Sequence, residues 1–346
     1  MTTDTLTRPA PPATTAPPQP SIKTAITDMY GMRVPVIAGG LQWLANAEYV
    51  AAAGRAGIIG FMTAASLPEL SDLRDEIRKC RDLCDGAPFG VNISMLPKLI
   101  EGDRTHQVID VICEEGVRFV ETSGRNPEPY LPALQSAGIK VLHKVPAVRF
   151  ARKAQAVGVD AVSIVGAECG GHPGLDLIGT FVQARMAADL EIPYLIGGGV
   201  GTGSQLTAAL GMGAAGVVVG TRFLVAEEIW AHPDYKQKLI DATERDTELI
   251  MESVRNTTRV LRNETSARVR EIEETLERVT IEDLILHVAG KVGRVAYETG
   301  DWRKGSISVG QSVVFANQIE PLAEIVASFE REALDAIDRL KNLVPA

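Results

Sequence analysis

The stretch PYLIGGGVGTGSQLTAALGMGAAGVVVGT (193–221) decides the fold class. It carries no charged residue, yet its glycines, Gln205 and its Ser and Thr residues interrupt the apolar run of about 20 residues that a membrane-spanning helix needs. Two apolar segments instead flank a helix-forming segment. Because strands of a parallel sheet are buried on both faces, they appear in a sequence as continuous apolar runs. The stretch therefore predicts a strand, a loop, a helix and a second parallel strand.

The same unit recurs along the chain from Val34 onward. Each helix is expected to end at a glycine, because glycine adopts the left-handed conformation at a helix end without steric cost. These glycines are Gly57, Gly116, Gly138, Gly158 and Gly213. The predicted strands are 34–39, 57–61, 89–94, 118–123, 140–145, 161–166, 193–198 and 216–221. Eight strands alternating with helices predict an α/β protein built on a closed (βα)8, or TIM, barrel.

The remaining segments predict a tail and an added C-terminal helical domain. Residues 1–20 are rich in Pro, Thr and Ala and are expected to form a disordered tail. After Thr221, charged patterns such as DYKQKLIDATERDTELIMESVRN (234–256) predict helices, and we assign 226–310 to a substrate or cap domain. Residues 311–346 are amphipathic and are expected to complete the barrel formed by 21–225.

Composition restricts the partners and the compartment. A formal charge of −9 opposes binding to nucleic acid and to anionic membrane surfaces. The four cysteines lack the spacing of zinc sites or redox pairs, and a chain of 346 residues does not need disulfides. Neither a secretion signal nor a metal-binding motif is recognised. We expect a cytoplasmic enzyme without metal, monomeric or homodimeric, that acts on small molecules.

The predicted barrel localises the candidate site, because such barrels carry their chemistry on the loops that follow the strands. The candidates are Asn92, Thr122, Ser123, Lys144, residues 166–174, residues 197–199, Gly220 and Thr221. In the segment GAECGGHPG (166–174), four glycines surround His172, whose imidazole exchanges protons near neutral pH. The alternative for His172 is an incidental histidine in a glycine-rich turn.

Two glycine-rich loops predict a phosphate site. Gly197, Gly198 and Gly199 follow the seventh strand, and Gly220 and Thr221 follow the eighth, where barrel loops often bind phosphate through backbone amides. The terminal phosphate of flavin mononucleotide (FMN) would fit there. The alternative is that these glycines only permit tight turns.

Three further side chains are candidates for the flavin ring. Lys144 ends the fifth strand, where a cation would stabilise charge at the N1–C2 edge of a reduced flavin, unless it is an ordinary surface lysine. The amides of Gln42 and Asn92 would hydrogen-bond the ring or merely satisfy nearby backbone groups. His143, next to Lys144, is expected to face the opposite way.

At this point the sequence resembles the nitronate monooxygenases, formerly called 2-nitropropane dioxygenases, which are FMN-binding barrels. The resemblance rests on VIAGGLQW (36–43), FGVNISMLP (89–97), HKVPAV (143–148), GAECGGHPG (166–174), IPYLIGGGVGTG (192–203), GAAGVVVGTRFL (213–224), RNTTRV (255–260), YETGD (297–301) and GQSV (310–313). The segment around His172 is similar to the branch described as NAD(P)H:quinone reductases.

The resemblance implies a set of functional residues. His172 would be the catalytic base or proton donor. The residues implied to contact FMN are Gly40, Gln42, Asn92, Lys144, Gly170, Gly171, Gly198, Gly199, Gly220 and Thr221. Three departures bear on this transfer: Val165 stands where relatives often carry Asp, Gly197 where they often carry Ser or Ala, and ANQIEP (316–321) replaces a different C-terminal stretch.

Four functions compete at this stage. The first is FMN-dependent oxidation of alkyl nitronates by O2, as in a nitronate monooxygenase. The second is reduction of quinones with NAD(P)H as co-substrate, and the third is an enoyl-thioester reductase, since such flavin barrels share a GGH loop. The fourth, a flavin-binding protein without catalysis, is disfavoured because a binder needs no titratable group such as His172.

Overall fold

The computed structural model describes residues 19–95 and 103–343. The part of the predicted tail at 1–18, Leu96 and Pro97 of the FGVNISMLP motif, and residues 344–346 lie outside the described residues. Eight parallel strands pair in chain order, and β1 closes the barrel by pairing with β8. The strands are β1 (Val36–Ala38), β2 (Ile59–Thr63), β3 (Gly90–Met95), β4 (Phe119–Gly124), β5 (Lys140–Val145), β6 (Ala161–Val165), β7 (Tyr194–Gly197) and β8 (Gly216–Val219). The predicted TIM barrel is confirmed.

Helices surround the barrel or close its floor. They are α1 (Ala25–Tyr30), α2 (Ala47–Arg55), α3 (Leu70–Cys84), α4 (Thr105–Glu114), α5 (Leu131–Ser136), α6 (Val148–Val157), α7 (Thr180–Met186) and α8 (Gly203–Gly211). The five glycines predicted at helix ends all have positive φ, between 64° and 102°, so that the expectation of left-handed glycines is confirmed. The long C-terminal helix, α13 (Leu322–Lys341), packs against α8 and α2 on either side of the barrel's closure.

The floor of the barrel is apolar. Inward-facing side chains from the strands, including Phe61, Phe119 and Leu142, form a closed cluster with Ile26 and Tyr30 of α1. The Tyr30 ring packs edge-on against Phe119 at 4.9 Å between centroids. Helix α1 thus plugs the end of the barrel opposite to the one at which the strands end, and it leaves that second end available for chemistry.

The segment between the barrel and α13 contains a strand pair besides its helices. Its elements are α9 (Pro233–Ile240), β9 (Thr247–Ile250), β10 (Thr258–Leu261), α10 (Glu264–Thr275), α11 (Ile281–Val288) and α12 (Gly290–Thr299). Strands β9 and β10 are antiparallel. A small apolar cluster that includes Ile250, Val260, Val269 and Leu284 joins this strand pair to α10 and α11.

The helix predicted across 234–256 is wrong beyond Ile240. The chain turns where Asp246 Oδ2 accepts hydrogen bonds from the backbone N–H and the hydroxyl of Thr243, at 2.7 and 2.9 Å. Positive φ angles at Met251 and Arg255 (61° and 55°) are incompatible with a continuing helix. Burial of Ile250 against β10 outweighs the local helical pattern, because tertiary packing overrides weak intrinsic preference.

Candidate functional site

A polar layer lies above the apolar floor, at the mouth of the barrel. The carboxylate of Glu121 on β4 is completely buried, and its Oε2 accepts hydrogen bonds from Lys144 Nζ at 3.0 Å and Asn92 Nδ2 at 2.5 Å. Lys144 on β5 keeps 23% of its side chain exposed. The structure therefore joins two predicted site residues, Asn92 and Lys144, through a third that the sequence analysis missed.

One feature of the sequence could have indicated Glu121 as a site residue. A glutamate in the middle of the buried strand RFVETS (118–123) needs a partner, because an ionised carboxylate is costly to bury alone. Which partner it finds depends on strand register, with Asn92 opposite Glu121 in the β3–β4 pair. Burial, and secondarily the charge of Glu121, raises the pKa of the Tyr30 phenol below it.

The alternation of side chains along β4 places one candidate, Thr122, away from the mouth. Thr122 is buried on the outer face of β4, where its hydroxyl hydrogen-bonds His143 Nδ1 at 2.9 Å. The prediction that Thr122 belongs to the site is therefore wrong, since neighbouring residues of a strand face opposite sides. The orientation predicted for His143 is confirmed. Ser123 does reach the mouth, 3.5 Å from Ser94 Oγ.

The two glycine turns after β7 and β8 present unpaired backbone amides. Gly198 and Gly199 have φ angles of 91° and 74°, which residues other than glycine rarely adopt. In the part of the chain that the structure describes, no protein oxygen accepts from the amides of Gly199, Gly220 or Thr221. The Thr221 hydroxyl accepts from the Gly310 amide at 3.0 Å. Unpaired amides grouped in this way are suited to an anion.

The loop that carries His172 is fixed by the segment after the barrel. Gly171 exchanges two backbone hydrogen bonds with Arg259 of β10, at 3.0 and 2.7 Å. The guanidinium Nε of Arg259 donates to the Ala167 carbonyl at 3.1 Å. Gly170 packs so closely on Val309 and Gly310 that a Cβ there would lie 2.7 Å from the Gly310 nitrogen. The loop is therefore held from two sides.

The His172 side chain is exposed to solvent. Nearby protein atoms partly desolvate the imidazole, which lowers its pKa below the ordinary value. At neutral pH the ring is therefore uncharged, with one nitrogen as donor and the other as acceptor. Among the described residues, no hydrogen bond joins His172 to Lys144 or Asn92.

The loop after β1 completes the rim. A Cβ at Gly40 would lie 2.9 Å from that of Asn92, so only glycine leaves room for this amide. Gln42 is exposed beside Gly290, at the start of α12. Trp43 has a positive φ of 69°, and its indole N–H donates to the Gly290 carbonyl at 3.0 Å. The segment 226–310 thus contacts both the β1 loop and the His172 loop.

A cavity of about 320 Å³ lies behind the β7 turn, next to Gly198 and Gly199. It is lined by α7, α8 and the 3-10 turn at Gln311–Phe315, with Phe181 and Phe315 among its walls. Of the described site residues, neither His172 nor Lys144 lines it. The cavity contains the carboxylate of Glu168, but Thr180 already donates hydrogen bonds to it. The barrel mouth is a better candidate for chemistry, because it holds the Lys144–Glu121 ion pair.

The donor set at the mouth fits FMN. Gly199, Gly220 and Thr221 offer amides to a phosphate, and Lys144 with Asn92 offers donors to the polar edge of a ring.

Comparison with known proteins identifies the family. The family model described as nitronate monooxygenase matches residues 23–332. The chain belongs to this family. The resemblance that the sequence motifs indicated is thereby confirmed.

The proteins to which this chain is similar carry different names. The chain is 33% identical to an octahydro-indene-carboxyl-CoA dehydrogenase of Rhodococcus jostii over 66% of its length, but spans only 62% of that relative. It is 25% identical to the nitronate monooxygenase of Paraburkholderia phytofirmans over 92% of this chain and 98% of the relative. The solved structure of FabK from Thermotoga maritima superposes with a TM-score of 0.84 at 30% identity, covering 93% of this chain and all of that one.

Proposed function

We propose that the protein is an FMN-dependent oxidoreductase that oxidises alkyl nitronates with O2. The observation that carries the proposal is the division of the barrel mouth into two walls. Unpaired amides of Gly199, Gly220 and Thr221 form one wall, and the Lys144 ammonium, held by Glu121, stands on the other. A phosphorylated cofactor with an electron-accepting ring matches both walls at once.

The residues proposed to contact the cofactor remain those implied by the resemblance. The glycine turns would hold the phosphate, and Gly40, Gln42, Asn92, Lys144, Gly170 and Gly171 would surround the ring. When bound, FMN would supply an electron acceptor for the substrate and an electron donor for O2. The segment 226–310 is proposed to cap the substrate, because it contacts the rim at Gly171 and at Trp43.

His172 would act on the substrate as a neutral imidazole. Its lowered pKa keeps one ring nitrogen unprotonated at neutral pH, ready to accept a proton from the α-carbon of a nitroalkane. The other nitrogen would donate a hydrogen bond to a nitronate oxygen. Lys144 adds a positive charge at the mouth that favours an anionic substrate.

Anaerobic mixing tests the proposed substrate. Purified, FMN-loaded protein is mixed with propyl-1-nitronate, NADH or NADPH, and the visible absorbance of the flavin is followed. Nitronate should bleach the flavin rapidly, and admitted air should restore the colour. Rapid bleaching by NADH or NADPH alone would instead favour a reductase, of quinones or of enoyl-thioesters. Protein that takes up no FMN would reject all of these functions.

A thioester oxidoreductase is the second candidate. It is favoured by the 33% identity to a carboxyl-CoA dehydrogenase and by apolar side chains exposed on α11 and α12. Leu286 is 82% exposed and is accompanied by Ile285 and Val295, an arrangement suited to a larger apolar substrate. Adding a medium-chain enoyl-CoA to NADPH-reduced protein tests it: reoxidation without O2 would support this candidate over the first.

The four cysteines are free thiols in the structure. Cys80 and Cys84 lie 3.7 Å apart at Sγ, within the range of a thiol hydrogen bond and without a disulfide bond. This chemistry agrees with a reducing compartment, and we propose a cytoplasmic location. Among the described helices, none is long and apolar enough to cross a membrane.

A further inference from the structure

We infer that Glu121 is a positioning residue that sets the electron affinity of the bound flavin through Lys144. The inference rests on the proposed function, because it requires FMN at the barrel mouth. Glu121 is fully buried and accepts from Lys144 and Asn92 through a single oxygen, Oε2. Oε1 has no hydrogen-bond partner among the described residues. The carboxylate thus contacts both donors but stays out of reach of solvent.

The two charged groups of the pair have different roles. Lys144 is partly exposed at the mouth, whereas Glu121 lies entirely beneath the surface, so that only the lysine can touch a ligand directly. An ammonium has three donors, and Glu121 occupies one of them. The carboxylate therefore fixes where the ammonium stands and offsets part of its positive charge.

Partial neutralisation has a chemical consequence. A full positive charge beside a flavin makes the ring more electron-poor, and a nearby carboxylate opposes this effect. The region beneath Glu121 is apolar, with Phe119 two residues earlier on the same strand, so the charges are weakly screened there. Ser163 of β6, opposite Lys144 in register, is buried and uncharged. Glu121 is accordingly the charge best placed to moderate Lys144.

Sulfite affinity tests this inference without any substrate. Sulfite binds oxidised flavins more tightly as they become more electron-poor, and binding bleaches the visible absorbance. In FMN-loaded protein, Glu121→Gln should tighten sulfite binding about tenfold, because one negative charge is lost near the ring. Lys144→Met should weaken it about tenfold. Glu330→Gln is the matched control, since it removes a largely buried carboxylate that is paired with Arg33 at the opposite end of the barrel.

A double variant guards against misfolding of Glu121→Gln. Glu121→Gln combined with Lys144→Met removes both charges and leaves none buried without a partner. Its sulfite affinity should lie within about threefold of that of Lys144→Met alone, because Glu121 acts on the flavin through Lys144 and has no lysine left to act on. An affinity restored to that of the wild type would overturn the inference, as would a Glu121→Gln protein with unchanged affinity. Protein that binds no FMN would overturn the proposed function together with the inference.

Discussion

The floor and the mouth of the barrel are made by the same strands, two residues apart, and differ completely in chemistry. Moving one inward position along four of the strands replaces an apolar side chain by a polar one. The pairs are Phe61 and Thr63, Phe119 and Glu121, Leu142 and Lys144, and Ala161 and Ser163. The floor buries apolar surface and stabilises the fold, whereas the mouth buries charge and carries the proposed chemistry. Stability and function are thus separated by about 7 Å of strand.

The largest effect is expected at the mouth. His172→Ala should retain the yellow flavin but lower kcat with the neutral nitroalkane by about 10² to 10⁴-fold, because the base that takes the α-proton is lost. Steady-state oxygen consumption and the flavin spectrum measure the two properties separately. His106→Ala, on the exposed surface of α4, is the control and should be indistinguishable from wild type. Undiminished turnover in His172→Ala would exclude His172 from the catalytic machinery.

The floor should respond in the opposite way. Phe119→Ala removes a buried ring from the cluster under the polar layer and should lower the free energy of unfolding by about 3–5 kcal/mol. Urea denaturation measures this loss. The kcat of the remaining folded protein should change less than about threefold, because substitutions at separate sites act nearly independently. Phe181→Ala, whose ring is 71% exposed on α7, should cost less than about 0.5 kcal/mol. Equal losses for both variants would contradict a stabilising floor.

The outer face of β5 adds a pH dependence that the mouth does not explain. Burial, as the main cause, lowers the pKa of His143 from 6.5 to about 4. As the pH falls from about 6.5 to 4, the unfolded chain therefore binds a proton at His143 that the folded chain does not bind. The free energy of unfolding declines over this window.

The decline for His143 should reach about 3 kcal/mol below this window. Urea unfolding of wild type and His143→Gln at a series of pH values measures it, and the variant should show a shallower slope. Parallel slopes would mean that His143 titrates normally.

The smallest effect is expected at the phosphate turn. Gly198→Ala forces a side chain into a positive φ of 91° and within 3.0 Å of Gly166 backbone atoms, which should cost about 1–2 kcal/mol and weaken FMN binding about tenfold. Fluorescence titration of FMN into apoprotein measures the affinity. Gly211→Ala in α8, where a Cβ meets only open space, should leave FMN affinity unchanged and stabilise slightly. Similar losses in both variants would argue against the turn as the phosphate site.

The sequence predicted the barrel well because its signals are local. Apolar runs at eight positions and glycines at five helix ends report conformations that each segment prefers by itself, and the structure has both. The helix predicted over 234–256 is wrong beyond Ile240 for the same reason. Its local charge pattern is helical, but β9 is decided by pairing with β10 and by the cluster around Ile250.

What the sequence by itself determined was the order of strands and helices, and hence that Asn92, Lys144 and the glycine turns lie at one end of a barrel. Only the tertiary structure decided that Glu121 joins Asn92 and Lys144, which lie 29 and 23 residues away from it along the chain. It also decided that Arg259 pairs with Gly171. These contacts depend on the register between strands and on the folding back of a distant segment. No local preference of either partner encodes such contacts.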